Sequence, residues 1–144
     1  MASAQYDIEA QQHSTFNFHL EYIGTTGAGV DMSVYTARLQ VRANADSARK
    51  LLEITTAGLT HGGVTGEFLA GVTGMSGVSG GGSIGANKSS TGSGLTGGIL
   101  VSASADSMKY IRTGSWQYSL DITVGATTEE LLYGRFIVSP KVTR

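Results

Sequence analysis

The stretch "SWQYSLDITV" limits the fold more than any other part of the chain. Trp116, Tyr118, Leu120, Ile122 and Val124 hold alternate positions over nine residues, with polar residues between them. Side chains of a β-strand point to opposite faces in turn, so a period of two marks a strand with one buried face. The turn-like "GATTEE" follows, and "LLYGRFIVS" reads as the antiparallel partner of a hairpin. Earlier segments repeat the pattern. In "STFNFHLEY", Phe16, Phe18, Leu20 and Tyr22 share one side; in "YTARLQVRA", Tyr35, Ala37, Leu39 and Val41 do. "LLEITT" reads as a third strand, "GGILVSA" as another, and "YDIEA" (Tyr6 to Ala10) as the first. The alternation predicts that Trp116, Tyr118, Leu120 and Ile122 pack against Phe16, Phe18, Leu39 and Val41. "SADSMKYI" is suited to about two helical turns, with Ser104 as N-cap. Six or seven short strands broken by Gly, Asn and Asp predict an all-β domain, a sandwich or barrel.

A chain of 144 residues suits one domain, here 1–144, with a modest core. Its net charge of −1 gives no general attraction to nucleic acid or to an anionic membrane. Without cysteine there is no disulfide frame, thiolate nucleophile or cysteine zinc site. No apolar run is long enough to span a membrane, and "MASAQYDIEAQQ" lacks the form of a signal peptide. The expectation is a protein made in the cytoplasm. Glycine is the anomaly: fifteen of the 21 fall between Gly58 and Gly98, while Pro140 is the single proline. That balance favours a flexible or tightly turning backbone over a stiff spacer.

The glycine-rich stretch matches several motifs by chance. Gly80, Gly82 and Gly85 fit G-x-G-x-x-G, but a dinucleotide site needs that motif inside a strand–helix–strand unit. Lys88 lacks the glycine directly before it that a phosphate-binding loop requires. Two overlapping matches to G-x-S-x-G, around Ser79 and Ser83, would need a strand-to-helix turn to act as a nucleophile elbow. A hydrolase using such a serine is the competing enzymatic hypothesis. His13, His19 and His61 are scattered, and His19 beside Glu21 reads as a solvated strand face rather than a ligand pair. Asp7, Glu9, Asp31 and Asp121 form no evident acid/base pair, and Arg38 with Arg42 is a weak nucleic-acid signal. The residues predict no catalytic site, no metal, no cofactor, no nucleic-acid partner and no membrane partner.

A resemblance adds a function. "WQYSLDITV", then "TEELLYGRFIVSPKVTR", resembles the C-terminus of a group of small structural proteins of tailed bacteriophages and prophages. "YDIEAQQHSTFNFHLEY" is similar to their opening strand pair, "VDMSVYTARLQVR" and "LLEITT" to their next strands, and "SADSMKYI" to the segment before their final hairpin. These pieces cover about 100 of the 144 residues. Such proteins are similar to the immunoglobulin-like N-terminal domain of phage baseplate upper proteins. The resemblance implies an immunoglobulin-like antiparallel β-sandwich of about six to eight strands, with one short helix and no enzymatic activity. It also implies a place in the virion and carries over no catalytic residues.

The departure from that group is an insertion at about 58–98, where the relatives cross by a short turn. It carries few charges, so its apolar residues call for a covering surface. Phe68, Leu69, Val72, Met75, Val78 and Ile84 are therefore expected to form an arm that orders against a neighbouring subunit. The implied partners are other virion proteins, at the tail, baseplate or fibre attachment point, together with further copies in a homo-oligomer. The alternative is a capsid decoration protein bound to the major capsid protein.

Overall fold

A computed structural model describes residues 4–44, 49–62, 68–69 and 78–141. The strands are β1 (Ala4–Gln5), β2 (Ile8–Gln11), β3 (Phe16–Glu21), β4 (Thr36–Arg42), β5 (Arg49–Thr55) and β6 (Gly58–His61). Then come β7 (Phe68–Leu69), β8 (Val78–Gly80), β9 (Gly82–Lys88) and β10 (Gly94–Ala103). A single helical turn, α1 (Ala105–Met108), precedes the long hairpin of β11 (Gly114–Val124) and β12 (Thr127–Ser139). The protein is an all-β sandwich. Its larger sheet runs β1-β12-β11-β4-β5-β6-β8, with β2 also on β12 and β7 also on β5. The smaller sheet runs β3-β10-β9.

The alternating residues fill the space between the sheets. Ala37, Leu39 and Val41 of β4 meet Tyr118, Leu120 and Ile122 of β11, all buried. Phe16 of the small sheet sets its ring edge-on to Phe136 of β12, with centroids 5.4 Å apart. Trp116 keeps the inward phase but lies half-buried near the strand's start, its indole Nε1 donating to the Arg112 carbonyl at 2.8 Å. The Ser104 hydroxyl caps α1 by accepting from the Ser107 amide, and Met108 and Ile111 close that flank of the core.

Three features depart from the sequence reading. The first strand is split, and it runs parallel to β12 rather than antiparallel. The split falls at Gly134, where an added Cβ would lie 2.3 Å from the Tyr6 carbonyl oxygen. Asp7 fills the break by accepting the Arg135 amide on its carboxylate at 3.1 Å, and the buried Tyr118 hydroxyl donates to the Tyr6 carbonyl at 2.6 Å. The hairpin turn is also tighter than "GATTEE" suggested: only Gly125 and Ala126 separate the strands.

The third departure corrects the arm. Residues 58–61, 78–80, 82–88 and 94–98 of the glycine-rich stretch are strand, paired within this chain. Ile84 is 3% exposed and faces Val101 across β9 and β10, so it belongs to the domain's own core rather than to a subunit contact. Gly82 shows why glycine stands there. A Cβ at that position would meet both Leu59 Cδ1 and the Ser102 carbonyl oxygen at 2.6 Å. Its missing side chain lets the two sheets approach.

Candidate docking surface

Of the six residues expected to form an arm, Ile84 lies in the domain's core. Phe68 and Leu69 pair as β7 with Lys50 and Arg49, and Val78 pairs as the start of β8 with His61. Val72 and Met75 lie outside the described residues. The motif glycines Gly80, Gly82 and Gly85 run from β8 into β9, strand to strand, without the helix that the dinucleotide fingerprint needs. Among the described residues no group of three His, Asp or Glu side chains converges as a metal site. His19 donates from Nε2 to the Lys88 carbonyl at 2.8 Å, tying β3 to β9. His61 is buried and stacks on Tyr110 with centroids 4.6 Å apart, and desolvation lowers its pKa.

The outer face of the large sheet is polar and internally bonded. Gln40 donates to Glu53 at 2.6 Å, Lys50 pairs with the same carboxylate at 3.1 Å, and Arg42 donates to Gln40 at 3.1 Å. Burial works against the Glu53 carboxylate, yet the hydrogen bonds from Gln40 and Lys50 outweigh it and hold its pKa low. Asp121 moves the other way: desolvation and neighbouring Glu130 raise its pKa, against the pull of Arg38. A groove of about 710 Å³ crosses this face between Gln5, Gln40, Gln117 and Tyr133. Of its polar lining, Gln40 and Arg42 are engaged in side-chain hydrogen bonds along the sheet.

One end of the sandwich is different. Four of the exposed large apolar side chains lie at strand ends or loops there: Ile23 at 45% exposure, Val34 at 68%, Leu95 at 37% and Val124 at 36%. Their positions follow from the strands. Ile23 follows β3, Leu95 opens β10, Val34 precedes β4 and Val124 closes β11. The Tyr22 amide donates to Gly97 and joins β3 to β10, Thr36 faces Thr123 and joins β4 to β11, and the Tyr22–Tyr35 ring contact brings the two pairs to the same end.

The loop that carries Ile23 and Val34 is built rather than slack. Asn87, at a φ of 55°, accepts the Met32 and Gly97 amides on Oδ1 at 2.9 and 3.1 Å and donates to Asp31 at 2.8 Å. Asp31 in turn accepts the Ser33 amide at 3.0 Å. Hydrogen bonds from the Ser33 amide and the Asn87 side chain hold the Asp31 pKa low.

At this end Tyr22 and Tyr35 set their rings edge to face, centroids 6.4 Å apart, near Glu129 of β12. Glu129 stands opposite the buried Ile122 and so faces between the sheets. A bulge decides this. The register slips between Leu120 and Asp121, leaving Leu131 unpaired, so Glu129 rather than Glu130 takes the inward position. Its Oε2 is buried without a hydrogen-bond partner among the described residues. The Tyr22 pKa is raised by desolvation first, then by the charge of Glu129 and by Tyr35. Sequence periodicity missed Glu129 because "GATTEE" reads as turn, and a regular ladder would have turned Glu129 outward. No known protein family and no curated protein matches this chain.

Proposed function

We infer that this chain is a non-enzymatic structural protein of a tailed-phage particle, an adaptor near the tail, baseplate or fibre attachment site. The observation that carries the reading is the exposure of Ile23, Val34, Leu95 and Val124 at strand ends, the first two on a loop with its own hydrogen-bond network. Exposed apolar side chains on an ordered loop are what a docking module presents to a partner. The resemblance of the strand segments to phage virion proteins supplies the setting. In that setting the partners are other virion proteins and further copies of the chain, and neither cofactor nor metal takes part.

The reading is tested on particles from the strain that encodes the chain. After separation on a density gradient, the protein should travel with tailed particles, and a labelled antibody should mark the tail or its attachment point. Label spread over tailless heads would make it a decoration protein instead. Protein left at the top of the gradient, away from all particles, would end the virion reading.

A further inference from the structure

The groove on the outer face of the large sheet crosses four strands, β1, β12, β11 and β4, and two cross-strand rows line it. Gln5, Tyr133, Ser119 and Gln40 stand side by side in one row, and Arg135, Gln117 and Arg42 in the next. The Leu131 bulge turns Glu130 outward, opposite Asp121, so that it joins the lining. Gln5, Gln117, Glu130, Tyr133 and Arg135 are exposed, Tyr133 at 41%. Among the described residues, the side chains of Gln5, Gln117, Tyr133 and Arg135 make no hydrogen bond, so their polar groups are open to a ligand. We propose that this groove binds a neutral oligosaccharide, with Tyr133 as the stacking platform and Gln5, Gln117 and Arg135 bonding the sugar hydroxyls.

Size and chemistry point the same way. At about 710 Å³ the groove falls within the range of about 300–1,000 Å³ that small-ligand sites occupy. Three inter-strand spacings of about 4.8 Å make it about 14 Å long, room for sugar rings end to end. A glutamine amide both donates and accepts, Arg135 donates, and Glu130 accepts. A sugar hydroxyl also does both, so one polyol can meet all of them. An anion would meet Glu130, and a cation would meet Arg42 and Arg135. An apolar ligand would strip water from the amides without replacing its bonds. Tyr133 supplies the apolar part of the site, a ring against which the C–H face of a sugar can lie. The Gln40–Arg42 hydrogen bond holds one wall in place before any ligand arrives. An extended peptide would instead seek a sheet edge, whereas β11 and β12 under the groove are paired on both sides.

The groove shares no residue with the strand ends that carry the docking role, so the site stands or falls apart from the virion reading. It is tested by titrating the protein with neutral trisaccharides built from glucose, galactose, mannose and N-acetylglucosamine, each to about 10 mM, and following backbone amide resonances. At least one should shift the amides of Gln117, Ser119, Tyr133 and Gly134 saturably. Tyr133→Ala should weaken that ligand about tenfold, while Tyr133→Phe, which keeps the ring, should bind nearly as the parent does. The amide spectrum of each variant reports whether it is folded. Gln117→Ala, at an exposed position, is a second variant that should also weaken binding. No saturable shift with any of the four sugars would overturn the proposal, as would shifts confined to other surfaces or binding undiminished in Tyr133→Ala and Gln117→Ala. Tighter binding of inorganic phosphate, or of acetyl-Gly-Gly-Gly-amide, at the same amides would also overturn it and give the groove to an anion or a peptide.

Discussion

Phe136 and Trp116 face each other across the final hairpin, yet they carry different weight. Phe136 is 0% exposed and meets two other aromatic rings, whereas Trp116 is half-buried and held by one hydrogen bond to Arg112. Phe136→Ala should cost about 3–5 kcal/mol and Trp116→Ala distinctly less, measured as a shift in the denaturation midpoint. Equal shifts would mean that the strand phase near residue 116 is wrongly placed. Asp31 gives a pH signature. Its folded pKa lies below the unfolded value, so its contribution is present above the ordinary Asp range and is lost as pH falls through the folded pKa. Acidification below the usual carboxylate range should therefore loosen the loop of residues 22–35, and Asp31→Asn should remove that dependence. Amide exchange at Ser33 and Met32 across a pH series reports it directly; a pH response unchanged in the variant would assign it to other carboxylates.

At the scale of elements, alternation made β3, β4, β11 and β12 legible, because each has one buried face and one solvated face. The capped turn at Ser104 was equally legible, since its hydroxyl does what an N-cap hydroxyl does anywhere. The glycine-rich strands were not. In β9 every second residue is Gly82, Ile84 or Ala86, and two of these are too small to register as an apolar stripe. Their smallness is the packing signal, but it becomes visible only when Leu59 and Ser102 are seen against Gly82. The inward glutamate was hidden for a related reason: one unpaired leucine shifts the phase, and no local pattern announces a bulge. The corrected place of Ile84 makes a sharp prediction. Ile84→Asp puts an unpaired charge into the core and should unfold the domain, whereas a residue on a separate arm would leave the melting temperature unchanged. Circular dichroism on heating separates the two outcomes.

For the whole molecule, the sandwich carries both a polar, self-bonded face and exposed apolar side chains at its strand ends. Partner binding and folding should therefore separate cleanly by mutation. Val34 is 68% exposed, so Val34→Asp should change stability by less than about 0.5 kcal/mol, as surface changes usually do. The same substitution should sharply lower the amount of protein recovered in particles, read by quantitative blotting of gradient fractions. Undiminished recovery would move the contact elsewhere on the surface.

The parallel edge has a further consequence, in the order of events during synthesis. β12 lies between β11 and the split first strand, so Ala4 meets Leu132 and Ile8 meets Phe136. The ribosome releases the early residues long before their neighbours exist. They must wait, unpaired, while every other strand emerges. Contacts so distant along the chain are slow to close, and the waiting segment is open to the wrong edge of another copy. Tyr6 and Asp7 can therefore reach Tyr118 and Arg135 in their native places only once the final hairpin has been made.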